Sequence, residues 1–121
     1  MSELTVSEWA WLAGILEGEA SFHMFQKQYP RIILGMTDED VITKIANFFG
    51  CKIIKRIDKR SSDYKPCYQI SITHRKKVSS IITNIFPYMS KRRRDQIQLF
   101  INQYQSANYD VLLPDTSVAK I

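Results

Sequence analysis

Glu17 and Glu19 stand two positions apart at the end of the stretch WLAGILEGEASF, residues 11–22. No Lys or Arg precedes Lys27, so no basic neighbour in sequence neutralises them. Carboxylate oxygens are the natural ligands of hard divalent cations, which can in turn polarise a phosphoryl oxygen or a water. A carboxylate near a helix C-terminus is also opposed by the helix dipole, a small cost that needs a reason.

The element that must position these acids is a helix predicted over residues 6–18. Val6, Trp9, Leu12, Ala13 and Leu16 recur at helical spacing, with Ser7 as the expected N-cap. Ala10, Gly14 and Gly18 fall four apart on a different side. Glycine inside a helix costs about 1 kcal/mol against alanine, and close approach of another backbone offsets that cost. The chain's own sheet is one candidate for the contact. A second copy of the helix is the expected one, because Trp9, Leu12, Ala13 and Leu16 already serve the core. Ala10, Gly14, Ile15 and Gly18 are therefore the expected dimer interface. Two copies meeting there would crowd their Glu19 carboxylates near the axis, and a cation would relieve the repulsion. Mg²⁺ is the expected ion, with Mn²⁺ as a substitute.

Charge placement points to a polyanion. The 121 residues carry a formal net charge of +5 and a pI near 9.3. Thirteen of the 17 Lys and Arg residues lie between Lys52 and Arg94, opposed only by Asp58 and Asp63. Residues 1–22 hold four acids and no base. A uniform solubilising surface would not divide this way. No apolar run is long enough for a membrane span, and the basic n-region of a secretory signal is missing from MSELTVSE. Cys51 and Cys67 are too few for a zinc site and are expected as reduced thiols, which suits an intracellular, reducing compartment. The four glycines include no phosphate-cradling run, so no small-molecule cofactor is expected.

The pattern along the chain reads helix, two strands, helix, two strands, then two helices. A hairpin is expected over 20–28 and 31–37, turning at Tyr29-Pro30. Thr37 or Asp38 should cap a helix through Val41, Ile42, Ile45, Phe48 and Phe49, closed by Gly50. CKIIKRID and CYQISIT form a second hairpin across the loop KRSSDYKP. Val78, Ile81, Ile82 and Ile85 mark one late helix, and Ile97, Phe100, Ile101 and Tyr104 another. A single α+β domain over 1–108 is expected, with a tail at 109–121 and four antiparallel strands covered on one face by helices.

Alternation sorts the strands. Phe22, Met24, Ile32, Leu34, Ile70 and Ile72 should bury, leaving His23, Phe25, Lys27, Arg31, Ile33, Gln69, Ser71 and Thr73 outward. Lys55 and Arg56 straddle the two faces, and the pattern does not say which points outward. A strand advances about 3.3 Å per residue, close to the rise of duplex DNA, so the outward face can follow base edges in a major groove. Lys59 and Arg60 in the loop, Arg75 and Lys76 after His74, and Arg92 and Arg94 are the expected phosphate contacts. Trp9, Trp11, Tyr88 and Tyr104 are expected in core or interface.

LAGILEGEA, Leu12 to Ala20, resembles the nine-residue signature of the LAGLIDADG homing endonucleases. Helix and strand order, charge placement and length agree with a single-motif member from about Glu8 to Tyr104. The resemblance implies a homodimer on double-stranded DNA, with saddle-shaped sheets in adjacent major grooves and a long pseudo-palindromic site. It also implies Mg²⁺-dependent cleavage of both strands near the dyad. By that likeness Glu19 is the metal ligand, the Ala20 carbonyl a second contact, and Glu17 a brace for the motif helix. Asp38 takes the place of a polar residue that holds water. FPYMSKRRRDQ resembles the basic turn whose cation assists at the scissile phosphate, with Lys91 the first choice and Arg93 the second. Both signature acids are Glu here, and the final glycine is Ala20. The alternatives are a non-cleaving nucleic-acid-binding protein on the same scaffold, such as a maturase or DNA-binding regulator, and a basic protein-binding domain.

Overall fold

The computed structural model describes residues 3–25, 29–57, 60 and 65–106. Helix α1 spans Val6–Glu19 and opens on a capping box. Thr5 Oγ1 accepts from the Glu8 amide at 3.1 Å, while Glu8 Oε1 accepts from the Thr5 amide at 2.8 Å. Thr5 is therefore the N-cap in place of Ser7, because only Thr5 has a Glu three positions on to complete the pair. Val6, expected on the core stripe, is the first helical residue and is exposed.

Strands β1 (Ala20–Phe25) and β2 (Tyr29–Met36) follow, then helix α2 (Glu39–Phe49). Tyr29 and Pro30 belong to β2 itself, not to the turn before it. Asp38 Oδ1 caps α2 by accepting from the Val41 amide at 3.2 Å. Gly50 ends α2 at φ +64°, a left-handed conformation that glycine adopts without a Cβ clash. Lys77 Nζ donates to the Phe49 carbonyl at 2.7 Å, so a cation sits on the negative end of α2.

Strands β3 (Ile54–Arg56) and β4 (Cys67–Ile72) lead to helix α3 (Arg75–Ile85), a 3-10 turn over Phe86–Tyr88, and helix α4 (Lys91–Ser106). The four strands form one antiparallel sheet in the order β1-β2-β4-β3, so the hairpins join through β2 and β4. The expected strand over 51–58 shrinks to three exposed residues at the sheet edge.

Alternation holds where the sheet is paired on both sides. Ile32, Leu34, Ile70 and Ile72 are fully buried against Leu12 and Leu16 of α1, Ile42, Ile45 and Phe49 of α2, and Ile81, Ile82 and Ile85 of α3. Burying each such side chain contributes about 1.5–3 kcal/mol. Phe22 and Met24 are only partly buried on the edge strand, where α4 covers β1. Cys51 and Cys67 are free thiols, half-buried. Among the described residues no helix is long and apolar enough to cross a membrane. Lys27, Lys59, the Tyr104 side chain and the 109–121 tail lie outside the described residues.

Candidate functional site

The α1–β1 junction carries the two acids. Ala20 leaves the helix at φ −81°, ψ 152° and pairs with Leu34 of β2, its methyl buried in the core. Its amide still donates to the Leu16 carbonyl, so Glu19 is the last helical residue and lies at the exposed crest of the turn. No protein group among the described residues pairs with the Glu19 carboxylate.

Glu17 is engaged. Its Oε1 accepts from the Ser90 amide at 2.6 Å and its Oε2 from the Ser90 hydroxyl at 3.0 Å, immediately before α4. The carboxylate that the α1 dipole disfavours is thus welcomed by the α4 dipole, which accounts for its position. Arg93 Nε donates to the Glu17 carbonyl at 2.7 Å and lies 3.7 Å from Glu17 Oε2. The absence of basic neighbours in sequence is made good from the far end of the chain.

The four consecutive cations of α4 have separate fates. Lys91 pairs with Asp95 at 2.9 Å in solvent. Arg93, expected as the second choice beside a scissile phosphate, is 8% exposed and turned inward, with Nη1 donating to Gln96 Oε1 at 3.0 Å. Arg94 Nη2 donates to the Pro87 carbonyl at 3.2 Å, and its Nε is buried without an acceptor. Arg92 is exposed and has no partner among the described residues. Arg92 stands one turn before Gln96 on the same side of α4. Gln96 and Arg93, and not Arg92, line a groove of about 450 Å³ between β1 and α4, together with Ala20, Ser21 and Phe22. Sequence patterning had placed Arg92 only among the phosphate contacts; its lack of a partner is visible only in the fold.

Strand register sorts the outward face. Gly35 pairs with Gln69, which pairs with Ile54, and Cys67 pairs with Arg56. Arg56 therefore points outward with Gln69, whereas Lys55 shares the helix-covered side with Tyr68, whose ring centroid is 6.0 Å from Lys55 Nζ. His23 pairs with Arg31, and Ser21 with Ile33, which pairs with Ser71. Thr73 directly follows β4 and is exposed. The Arg31 guanidinium stacks 4.5 Å from the centroid of the Phe25 ring, and Arg31 Nε is buried without an acceptor. Ser21, Tyr29, Ile54 and Cys67 also lie on this face, and sequence alternation had not singled them out. Their partners in the ladder are the signal that finds them. Arg60, Arg75 and Lys76 are exposed beyond the strands.

The small-residue side of α1 is open. Ala10, Gly14 and Gly18 are exposed, and a Cβ built at Gly14 or Gly18 meets nothing within 4 Å. Packing on the chain's own sheet does not account for these glycines. Ile15 and Trp11 are half-buried at one margin, Trp11 edge-on to Phe48 with Lys44 Nζ 4.2 Å from its ring centroid. Trp9 is in the core against Phe49, whereas Tyr88 is exposed. Among the described residues no three of His, Cys, Asp and Glu cluster as a metal site. With Glu17 held by Ser90 and Asp38 capping α2, one chain offers the free Glu19 carboxylate and the adjoining backbone. That donor set suits a hard cation as half of a site.

No protein-family model matches the chain, and no curated protein matches it in sequence. A solved structure described as the group I intron-encoded homing endonuclease I-CeuI complexed with DNA matches its fold, with a TM-score of 0.62 at 18% identity. The match covers 89% of this chain and 58% of that one, so this chain spans a little over half of that protein's length. At this identity the likeness shows the fold: four helices and a four-stranded antiparallel sheet in the homing-endonuclease arrangement.

Proposed function

We propose that the chain is a site-specific DNA endonuclease that works as a homodimer. The observation that carries this is the stripe Ala10–Gly14–Gly18, unfilled by the chain's own packing and leading directly to the unpaired Glu19. A helix with so little polar surface on its exposed side calls for a partner, and a second α1 is the partner of matching shape. The fold shared with a DNA-complexed homing endonuclease supports DNA as the substrate.

Each subunit would lay its outward sheet face in a major groove, with Arg31, Arg56 and Gln69 facing base edges and Ser21, Ser71 and Thr73 between them. The two subunits would then read a long, roughly palindromic site of about two helical turns. Glu19 and the Ala20 carbonyl, from both copies, would hold a divalent cation such as Mg²⁺, which supplies charge stabilisation at the phosphoryl oxygens when bound. Arg92, exposed on α4, would neutralise phosphate charge as a water oxygen bonds to phosphorus and the 3′ oxygen leaves. Arg93, buried and held by Glu17, has less freedom to serve there, whereas the exposed Lys91, in a solvent pair with Asp95, keeps its ammonium available for the same role.

The test begins with selection of a bound duplex from a randomised library, followed by incubation with Mg²⁺. The wild-type chain should cut the selected duplex on both strands. Glu19→Gln should bind it with unchanged affinity and leave it intact. Failure to bind any duplex would end the proposal, and wild-type binding without cutting would point to a non-cleaving DNA-binding protein on the same scaffold.

A further inference from the structure

We infer that Arg93 is a positioning residue, clamping the α1–β1 junction from both sides of Glu19; its bearing on cleavage rests on the nuclease proposed above. Arg93 Nε satisfies the Glu17 carbonyl, one of the orphan acceptors of the last turn of α1. The same guanidinium lies 5.9 Å from the Phe22 ring centroid, on the far side of the junction. Glu17 precedes Glu19 by two residues and Phe22 follows it by three, so one planar group restrains the chain before and after the exposed carboxylate. Gln96 Oε1 fixes the guanidinium from α4.

A buried arginine is costly unless its donors are matched, so its burial here asks for a task that an apolar side chain could not perform. Satisfying a helix-terminal carbonyl while bridging to the next element is such a task. Glu19 itself has no partner among the described residues; Ala20 after it is tied by its amide hydrogen bond to the Leu16 carbonyl, its pairing with Leu34 and its buried methyl, none of which reaches the Glu17 carbonyl. Without Arg93 the Glu17 carbonyl would lose its donor, and the last turn of α1 would rest on the Ala20–Leu16 hydrogen bond, the Glu17–Ser90 contact and the core packing of Leu16 and Ala20.

Two variants test the clamp by amide hydrogen exchange on the full chain. Arg93→Met removes the donors at similar volume, and Arg93→Lys keeps one donor for the Glu17 carbonyl. The Ala20 amide should exchange roughly tenfold or more faster in Arg93→Met, with Ile70 and Ile81 unchanged, and Arg93→Lys should recover part of the protection. If Arg93→Met fails to fold, the Lys variant alone should still exchange its Ala20 amide faster than the wild type does, with the Ile70 rate unchanged. An unchanged Ala20 rate, or one that rises only in step with Ile70 and Ile81, overturns the clamp. In the cleavage assay, Arg93→Met should bind DNA normally yet need roughly tenfold more Mg²⁺ for half-maximal cutting. An unchanged Mg²⁺ midpoint overturns the positioning role. A wild-type chain that never cuts overturns the nuclease instead, and the exchange rates then decide the clamp by themselves.

Discussion

The carboxylate of Glu17 accepts the Ser90 amide at 2.6 Å, across 73 positions of sequence, and so joins the C-terminus of α1 to the N-terminus of α4. One acid serves two helix ends whose dipoles act on it in opposite senses. Glu17→Ala leaves the Ser90 amide without its acceptor and removes the anion beside Arg93. A loss of about 0.5–2 kcal/mol in unfolding free energy is expected, with Glu17→Gln losing less. Urea titration measures it, and an unchanged midpoint would show that the link contributes nothing.

Gly14 separates the stability of one chain from the association of two. Its position would accept a methyl group without any contact inside the chain. Gly14→Ala should therefore stabilise the fold of a dilute sample by about 0.8–1 kcal/mol, through helix propensity alone. The same methyl group would separate two apposed α1 helices, so dimerisation should weaken by roughly tenfold or more. Thermal denaturation and sedimentation equilibrium give the two numbers. A variant that dimerises as well as the parent would remove α1 from the interface.

The elements that sequence makes legible are those whose pattern is local. Trp9, Leu12, Ala13 and Leu16 mark the buried side of α1, and strict alternation marks β2 and β4, because each reports a period that burial enforces. The α1 N-cap was also available, since Thr5-Val6-Ser7-Glu8 spells a capping box that Ser7 does not. Non-local information stayed hidden. The sides taken by Lys55 and Arg56 depend on their pairing with Tyr68 and Cys67, as a three-residue exposed edge strand has no burial pattern of its own. The burial of Arg93 depends on Glu17, 76 positions away, so four adjacent cations read alike in sequence and differ in the fold. The unfilled side of Gly14 and Gly18 was legible as spacing, but its freedom from intrachain contact was not.

Arg56 and Lys55 offer a test of the sheet register. Arg56 shares the outward face with Gln69, and Lys55 lies on the side of Tyr68. Arg56→Ala should weaken DNA binding, and should lower the salt slope by about 0.9 if its contact is to phosphate, or relax base preference if it is to a base edge. Lys55→Ala should leave base preference intact. Binding titrations over a range of salt distinguish the two, and equal effects from both variants would contradict the register as the basis of recognition.

Cys51 provides a pH-dependent probe of the α2 terminus. Burial pushes its thiol above the ordinary range, while the Lys77 ammonium pulls it down. A thiol with a raised value holds its proton more tightly folded than unfolded. Its contribution to stability is therefore complete below the unfolded thiol's value and disappears as pH rises through the folded one. The stability difference between the wild type and Cys51→Ala should accordingly shrink as pH moves from neutral into the alkaline range. Lys77→Met removes the opposing charge and the hydrogen bond to the Phe49 carbonyl. With the ammonium gone, less thiolate forms at about pH 8, and alkylation of Cys51 by iodoacetamide should slow by roughly two- to fivefold. Faster alkylation would mean that the lysine matters as a cap that keeps reagent out, and that its charge has little hold on the thiol.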